Sequence, residues 1–182
     1  NSELQDFKKK TKEAANKERV KRDMHRPDWD DYFFGIMEAV SKRATCDRGK
    51  SGAILVKNKQ IIATGYVGAP KGLPHCDHDG HLYGEVLRNG KVHMHCIRTT
   101  HAEMNAIVQA AKSGVSTDGA TIYCKMEPCL DCCKAIINAG IKRVVALKKY
   151  RAAQNTREFF KKAGVKLDVR INEIEKYANQ TK

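Results

Sequence analysis

The sequence predicts an α/β fold in which a mixed β-sheet is covered on both faces by helices. Two short β-branched runs joined by a turn, over 51–56 and 60–64, open the sheet as a hairpin. After residue 101, helical and strand patterns alternate, the order expected of βαβ connections. A length of 182 residues suits one domain with a core of ordinary size. The division read is a basic polar arm over 1–26 and a single domain over 27–182.

The arm is lysine-rich around Ala14-Ala15 and reads as a solvated helix or a disordered segment. Pro27-Asp28 marks a helix start. Trp29, Phe33, Ile36, Met37 and Val40 follow at helical spacing, so a helix is expected over 28–44. Lys57-Asn58-Lys59 turns the chain between the two hairpin strands. From 65 to 100 there are six glycines, two prolines and five of the seven histidines, with no apolar period. This reads as a long irregular loop, and a loop of that length in a compact domain needs something to hold it, as a metal would. Beyond it come a helix over 101–111, a strand over 120–124, a helix over 128–138 closed by Gly140, and a strand over 143–147. A helix over 155–162, a strand over 165–169 and a short closing helix over 172–178 complete the chain.

Charge is unevenly placed. Of the net +13, residues 1–26 contribute +4, residues 27–141 only +1 and residues 142–182 contribute +8. A basic rim around a nearly neutral body suits an anionic substrate such as a nucleotide, or a nucleic acid, although a merely solvated surface explains the arm equally well. Aromatic residues are only 7%, and no basic stretch is interleaved with them as a stacking platform for single strands would be. Seven cysteines (46, 76, 96, 124, 129, 132 and 133) occur without an apolar signal-peptide core. They read as metal ligands or buried thiols in a reducing, cytoplasmic setting rather than as disulfides. No apolar run approaches the ~20 residues of a membrane-spanning helix.

The chemistry concentrates in His101-Ala102-Glu103 and Pro128-Cys129-Leu130-Asp131-Cys132. One His and two Cys suit zinc and leave a fourth tetrahedral position open, as catalytic zinc sites do. A carboxylate two residues from the His then serves as the acid/base partner of the metal-activated water. Each half has a plainer reading. Thr100 to Glu103 fits a capping box at a helix start, and Cys129-x-x-Cys132 fits a redox pair or half of a structural zinc site. The redox reading leaves His101 and Glu103 without a role. Cys133, on the same helix face as Cys129, stays open as a ligand in place of Cys132.

These motifs resemble the cytidine/deoxycytidylate deaminase superfamily, whose established zinc signature is H-x-E with P-C-x-x-C. The similarity is greatest to the dCMP deaminase branch and runs from about Arg26 to Val169. It rests on Thr45-Cys46, Gly65-Tyr66, the run from Gly68 to Cys76, the run from His95 to Glu103, and Pro128 to Cys133. The resemblance implies a three-layer α/β/α sandwich with a five-stranded mixed sheet. It also implies zinc held by His101, Cys129 and Cys132, and Glu103 as proton shuttle. Some members of the branch carry a second, structural zinc, for which Cys46, His75, Cys76 and Cys96 are the candidates here, with His95 as alternate; His78, His81 and His93 are expected at the surface. Candidate substrate contacts are Val67, Ala102, Arg98 and Tyr150, with Arg98 and the basic C-terminal part facing a phosphate. Val67 stands where the family usually has Asn. A hexamer or another symmetric homo-oligomer is also implied.

The function expected is hydrolytic deamination of dCMP to dUMP and ammonia, supplying the precursor of dTMP. The competing readings are a polynucleotide or tRNA base deaminase, which the net charge would suit, and a degenerate deaminase domain kept as a binding module.

Overall fold

The computed structural model describes residues 2–21, 26–88 and 90–175. A five-stranded mixed sheet forms its centre. The strands are β1 (Gly52–Lys57), β2 (Gln60–Tyr66), β5 (Thr121–Met126), β6 (Arg143–Lys149) and β7 (Lys166–Ile174). Their order across the sheet is β2-β1-β5-β6-β7. β1 runs antiparallel to β2 and β5, while β5, β6 and β7 are parallel. Asn58 and Lys59 take positive φ (51° and 62°) in the tight turn joining β1 and β2, the backbone that matches hairpin twist.

Alternation along the strands assigns the two faces. Ile54, Val56, Tyr123 and Val145 pack against Phe33, Phe34 and Met37 of α2 (Trp29–Ser41). The intervening Ala53, Leu55, Ile122, Cys124, Val144 and Ala146 face the other way. There they meet Ala106 and Ala110 of α4 (Ala102–Lys112), Ile136 of α5 (Leu130–Asn138) and Phe160 of α6 (Gln154–Ala163). Strands with both faces covered read in sequence as continuous apolar runs, which is how 51–56 and 143–147 appear. Asp28 starts α2, its carboxylate accepting from the Asp31 amide at 2.8 Å. The arm forms helix α1 (Ser2–Lys21), whose described side chains are all exposed.

Two expectations are corrected. The stretch 65–100 is not wholly irregular, since it contains a short helix α3 (Cys76–Asp79) and an antiparallel hairpin of β3 (Tyr83–Arg88) and β4 (Lys91–Cys96). The hairpin escaped the sequence pattern because its apolar residues face water: Leu87 is 71% and Val92 61% exposed. The closing helix over 172–178 is replaced, as far as the described residues go, by a longer β7 reaching Ile174. Pairing with β6 overrides local helix preference there, because Lys148 and Lys149 stand opposite Ile171 and Ile174. Glu175 then meets Lys125 at 3.0 Å and Lys148 at 3.4 Å.

Asp30 fastens α2 to β5 and β6 on the sheet face it covers. Its carboxylate receives both terminal nitrogens of Arg143, at 2.9 and 2.8 Å, and the Tyr123 hydroxyl at 2.7 Å. Hydrogen bonding from Arg143, against the opposing effect of burial, lowers the Asp30 pKa below its ordinary value. A depressed folded pKa contributes stability that is present above the unfolded value of about 3.9 and disappears as pH falls through the folded one. Asp30→Asn is therefore expected to lower the unfolding free energy at neutral pH by about 1–3 kcal/mol. In urea titrations the gap between wild type and variant should close once the pH falls well below about 4.

Candidate active site

Sequence dictates the site through one close packing. A Cβ built on Gly65 of β2 would collide with the Ala102 carbonyl and the Ala106 amide of α4. Only glycine therefore lets α4 lie this close to the sheet. Asn105 of α4 donates to the Tyr66 carbonyl at 2.7 Å, and Gly68 and Thr100 exchange main-chain hydrogen bonds at 3.3 and 2.9 Å. Together these fix the first turn of α4 over the end of β2. On the next part of the sheet, β5 runs into Glu127-Pro128 and then α5.

Both ligand-bearing helices begin on a ligand. His101 is the N-cap of α4 and Cys129 the N-cap of α5, neither making a side-chain cap hydrogen bond. The capping box from Thr100 is thus not formed, and Glu103 is free of that duty. Cys129 lies one position before the helix rather than inside its first turn. Its sulfur stands where unpaired helix N–H groups and the positive end of the helix dipole favour a thiolate. Hydrogen bonds from the neighbouring Cys132 thiol and the His101 imidazole hold the Cys129 pKa well below the ordinary cysteine range, against the effect of burial.

His101 Nδ1 lies 3.4 Å from Cys129 Sγ and 3.5 Å from Cys132 Sγ. Tetrahedral zinc bonds to S and N imply ligand-to-ligand edges of about 3.5–3.8 Å, so the three atoms fit zinc with one position left. Cys133 is not one of them: it is fully buried and points its thiol at the Thr156 carbonyl, 3.7 Å away. Glu103 is 6% exposed, with Oε2 at 3.8 Å from Cys132 Sγ. Burial raises its pKa, opposed chiefly by the charge of His101.

A pocket opens above this group. Val67, Ala102 and Tyr150 line it, with Glu103, His101 and Cys129. Arg98 does not line it; its guanidinium is committed to the Pro74 carbonyl at 3.2 Å, tying down the 65–100 excursion. The pocket's arginines are instead Arg48 and Arg151. Arg48 also lies over the Tyr83 ring, 5.1 Å from its centroid. Neither was singled out from the sequence, although each directly follows or closely neighbours a residue that was: Arg151 follows Tyr150, and Arg48 lies two beyond Cys46. His93 and His95 also line the pocket. His95 is no alternate ligand of the second cluster; its ring centroid lies 6.4 Å from that of His101.

The second cluster gathers Cys46, Cys76, His81 and Cys96, their ligand atoms all within 4.8 Å of one another. His81 takes the place expected of His75. The latter is the N-cap residue of α3, and its Nδ1 pairs with Thr45 Oγ1 at 3.1 Å. His81 lies beyond α3, where Gly80 at φ 72° turns the chain back toward Cys46. His81 Nδ1 is 3.8 Å from Cys46 Sγ while its Nε2 meets Asp47 at 2.9 Å, the carboxylate support common to ligating histidines. Three thiols and an imidazole form a closed set of four, suited to a structural zinc.

The family profile described as "Cytidine and deoxycytidylate deaminase zinc-binding region" matches residues 27–148. ComE operon protein 2 of Bacillus subtilis is 42% identical over 152 residues, covering 83% of this chain and 76% of that one. The deoxycytidylate deaminase of Schizosaccharomyces pombe is 36% identical over 143 residues, covering 78% of this chain but only 44% of the yeast protein. A crystal structure of the dCMP deaminase of cyanophage S-TIM5, in complex with dCMP and dUMP, superposes with a TM-score of 0.64 at 33% identity. It covers 79% of this chain and 98% of the phage chain.

Metal analysis is expected to find two zinc ions per chain. His81→Ala should reduce this to one, His75→Ala should leave two, and His101→Ala should lose the other ion. Zinc content unchanged in His81→Ala would refute the assignment of that ligand.

Proposed function

The chain belongs to the cytidine and deoxycytidylate deaminase zinc-binding family, and from that premise we propose that it hydrolyses dCMP to dUMP and ammonia. One observation carries the reading: a buried carboxylate stands beside a three-ligand zinc cradle, in the lining of a pocket that two arginines also line. A deaminase needs the first two, and a nucleotide substrate gives the arginines a phosphate to meet.

The residues have separate duties. His101, Cys129 and Cys132 hold the metal. Zinc, when bound there, supplies the Lewis acidity that brings deprotonation of water within reach of neutral pH. Glu103 moves the protons: its carboxylate accepts one from the attacking water and delivers it to N3 of the cytosine ring, then takes the second from the new C4 hydroxyl and passes it to the C4 amine, which leaves as ammonia. Water's oxygen ends on C4, so the products are the uracil nucleotide and ammonia. A group that gains and loses a proton within each cycle works best when its pKa lies near working pH, and burial moves Glu103 in that direction. Arg48 and Arg151 face the 5′-phosphate, in place of Arg98. Val67, 8% exposed and packed with Cys46, Cys76 and Cys96, forms an apolar part of the wall.

Ammonia release from dCMP, dCTP, deoxycytidine, cytosine and tRNA, measured side by side, tests the reading. Turnover should be greatest with dCMP and fall to background in Glu103→Gln, with zinc content unchanged; preference for tRNA would establish the polynucleotide reading instead. In Val67→Asn a sugar or base contact is restored, and kcat/KM for dCMP should rise about fivefold, worth ~1 kcal/mol. A clear fall in that variant would count against dCMP as the native substrate.

A further inference from the structure

Glu127 has no part in this chemistry, yet it is 1% exposed and lies between the last residue of β5 and the Pro128-Cys129 turn. Its main-chain N–H donates to the Lys148 carbonyl at 3.0 Å. Its carboxylate accepts Nε and Nη2 of Arg157, each at 2.6 Å, and the main-chain N–H of Tyr150 at 2.9 Å. A carboxylate this buried persists only when its charge is balanced and its lone pairs are filled. The two-pronged Arg157 contact does the first, and the Tyr150 amide helps with the second.

One side chain therefore joins three segments: the turn that presents Cys129, the loop leaving β6, and the first turns of α6. Tyr150 and Arg151 lie on that loop and line the pocket together with Glu127. Arg151 is itself exposed, so the position of its guanidinium follows the backbone that Glu127 holds one residue earlier. With three donors on its carboxylate, Glu127 is committed to this frame rather than to proton transfer.

We infer that Glu127 is a positioning residue for phosphate recognition: acting through Arg157 and the Tyr150 amide, it holds Arg151 at the pocket so that a 5′-phosphorylated nucleotide is selected over the nucleoside. The inference rests on the proposed dCMP reading.

The test uses the full-length, zinc-loaded protein, with zinc content verified for each variant. It compares kcat/KM for dCMP and deoxycytidine, and dissociation constants for dUMP and deoxyuridine. Glu127→Gln should reduce the preference for the phosphorylated compound at least tenfold, through KM rather than kcat, in both comparisons. Arg151→Ala should reduce it similarly, and the double variant should be no worse than Arg151→Ala alone, because both act through one contact. Equal losses with and without the phosphate, or additive losses in the double variant, would overturn the inference and leave Glu127 as a packing element. Arg157→Lys keeps the charge but loses the fork. Should Glu127→Gln fail to fold, Arg157→Lys must show the same selective loss, and an unchanged preference would overturn the inference. A wild type that releases no ammonia from dCMP would refute the substrate reading instead, while the dUMP and deoxyuridine comparison would still decide the role of Glu127.

Discussion

A helix can lie flush on a strand only where the strand offers no side chain, and the site depends on one such contact, between α4 and Gly65 of β2. The main-chain carbonyl of Ala102 and amide of Ala106 occupy the space a Cβ would need. Displacing α4 outward would move His101 and Glu103 together, because His101 caps that helix and Glu103 lies in its first turn. The parallel pairing of β5 with β6 sets the other half by bringing Met126 beside Lys148, so that the turn into α5 stands next to the loop leaving β6. Ligands in open α/β sheets gather at the carboxyl ends of parallel strands for this reason.

Zinc binding requires deprotonated thiols and a neutral imidazole, and the fold prepares for that charge. α5 starts at Cys129, so its unpaired amides and dipole favour that thiolate, and α4 starts at His101. Glu103 sits in the same buried space, and its proton-holding tendency follows chiefly from that burial, with the charge of His101 opposing it. The Cys132 thiol, 3.8 Å from Glu103 Oε2, hydrogen-bonds to that carboxylate and so works against the effect of burial on it.

The wall of the pocket is made differently. The β3–β4 hairpin lies outside the main sheet and leaves Leu87, Val92 and Met94 largely exposed. A two-stranded hairpin with so little apolar burial is marginal by itself. The Cys46–Cys76–His81–Cys96 cluster pins its two ends, since Cys96 closes β4 and His81 precedes β3. Arg48, two residues beyond Cys46, and the hairpin's histidines therefore line the pocket on two segments held by ligand-type side chains rather than by a hydrophobic core.

Much of the fold was legible in the sequence, because helices and central strands are specified by local periodicity: the aromatic stripe of α2 and the β-branched runs of β1, β2 and β6 fall where they were expected. The groups of the metal cradle were legible too, as short words of few residues whose chemistry admits few uses. What the tertiary structure alone decided was everything set by approach between distant segments. His81 displaced His75 because α3 and Gly80 redirect the chain. Arg48 and Arg151, rather than Arg98, line the pocket because its walls come from segments that meet only in space. The end of β7 became strand because β6 offered it hydrogen bonds that no local pattern reveals. A sequence states which side chains are available and which local backbone they favour; distances between residues far apart in the chain arise only when the sheet pairs and the helices pack on it.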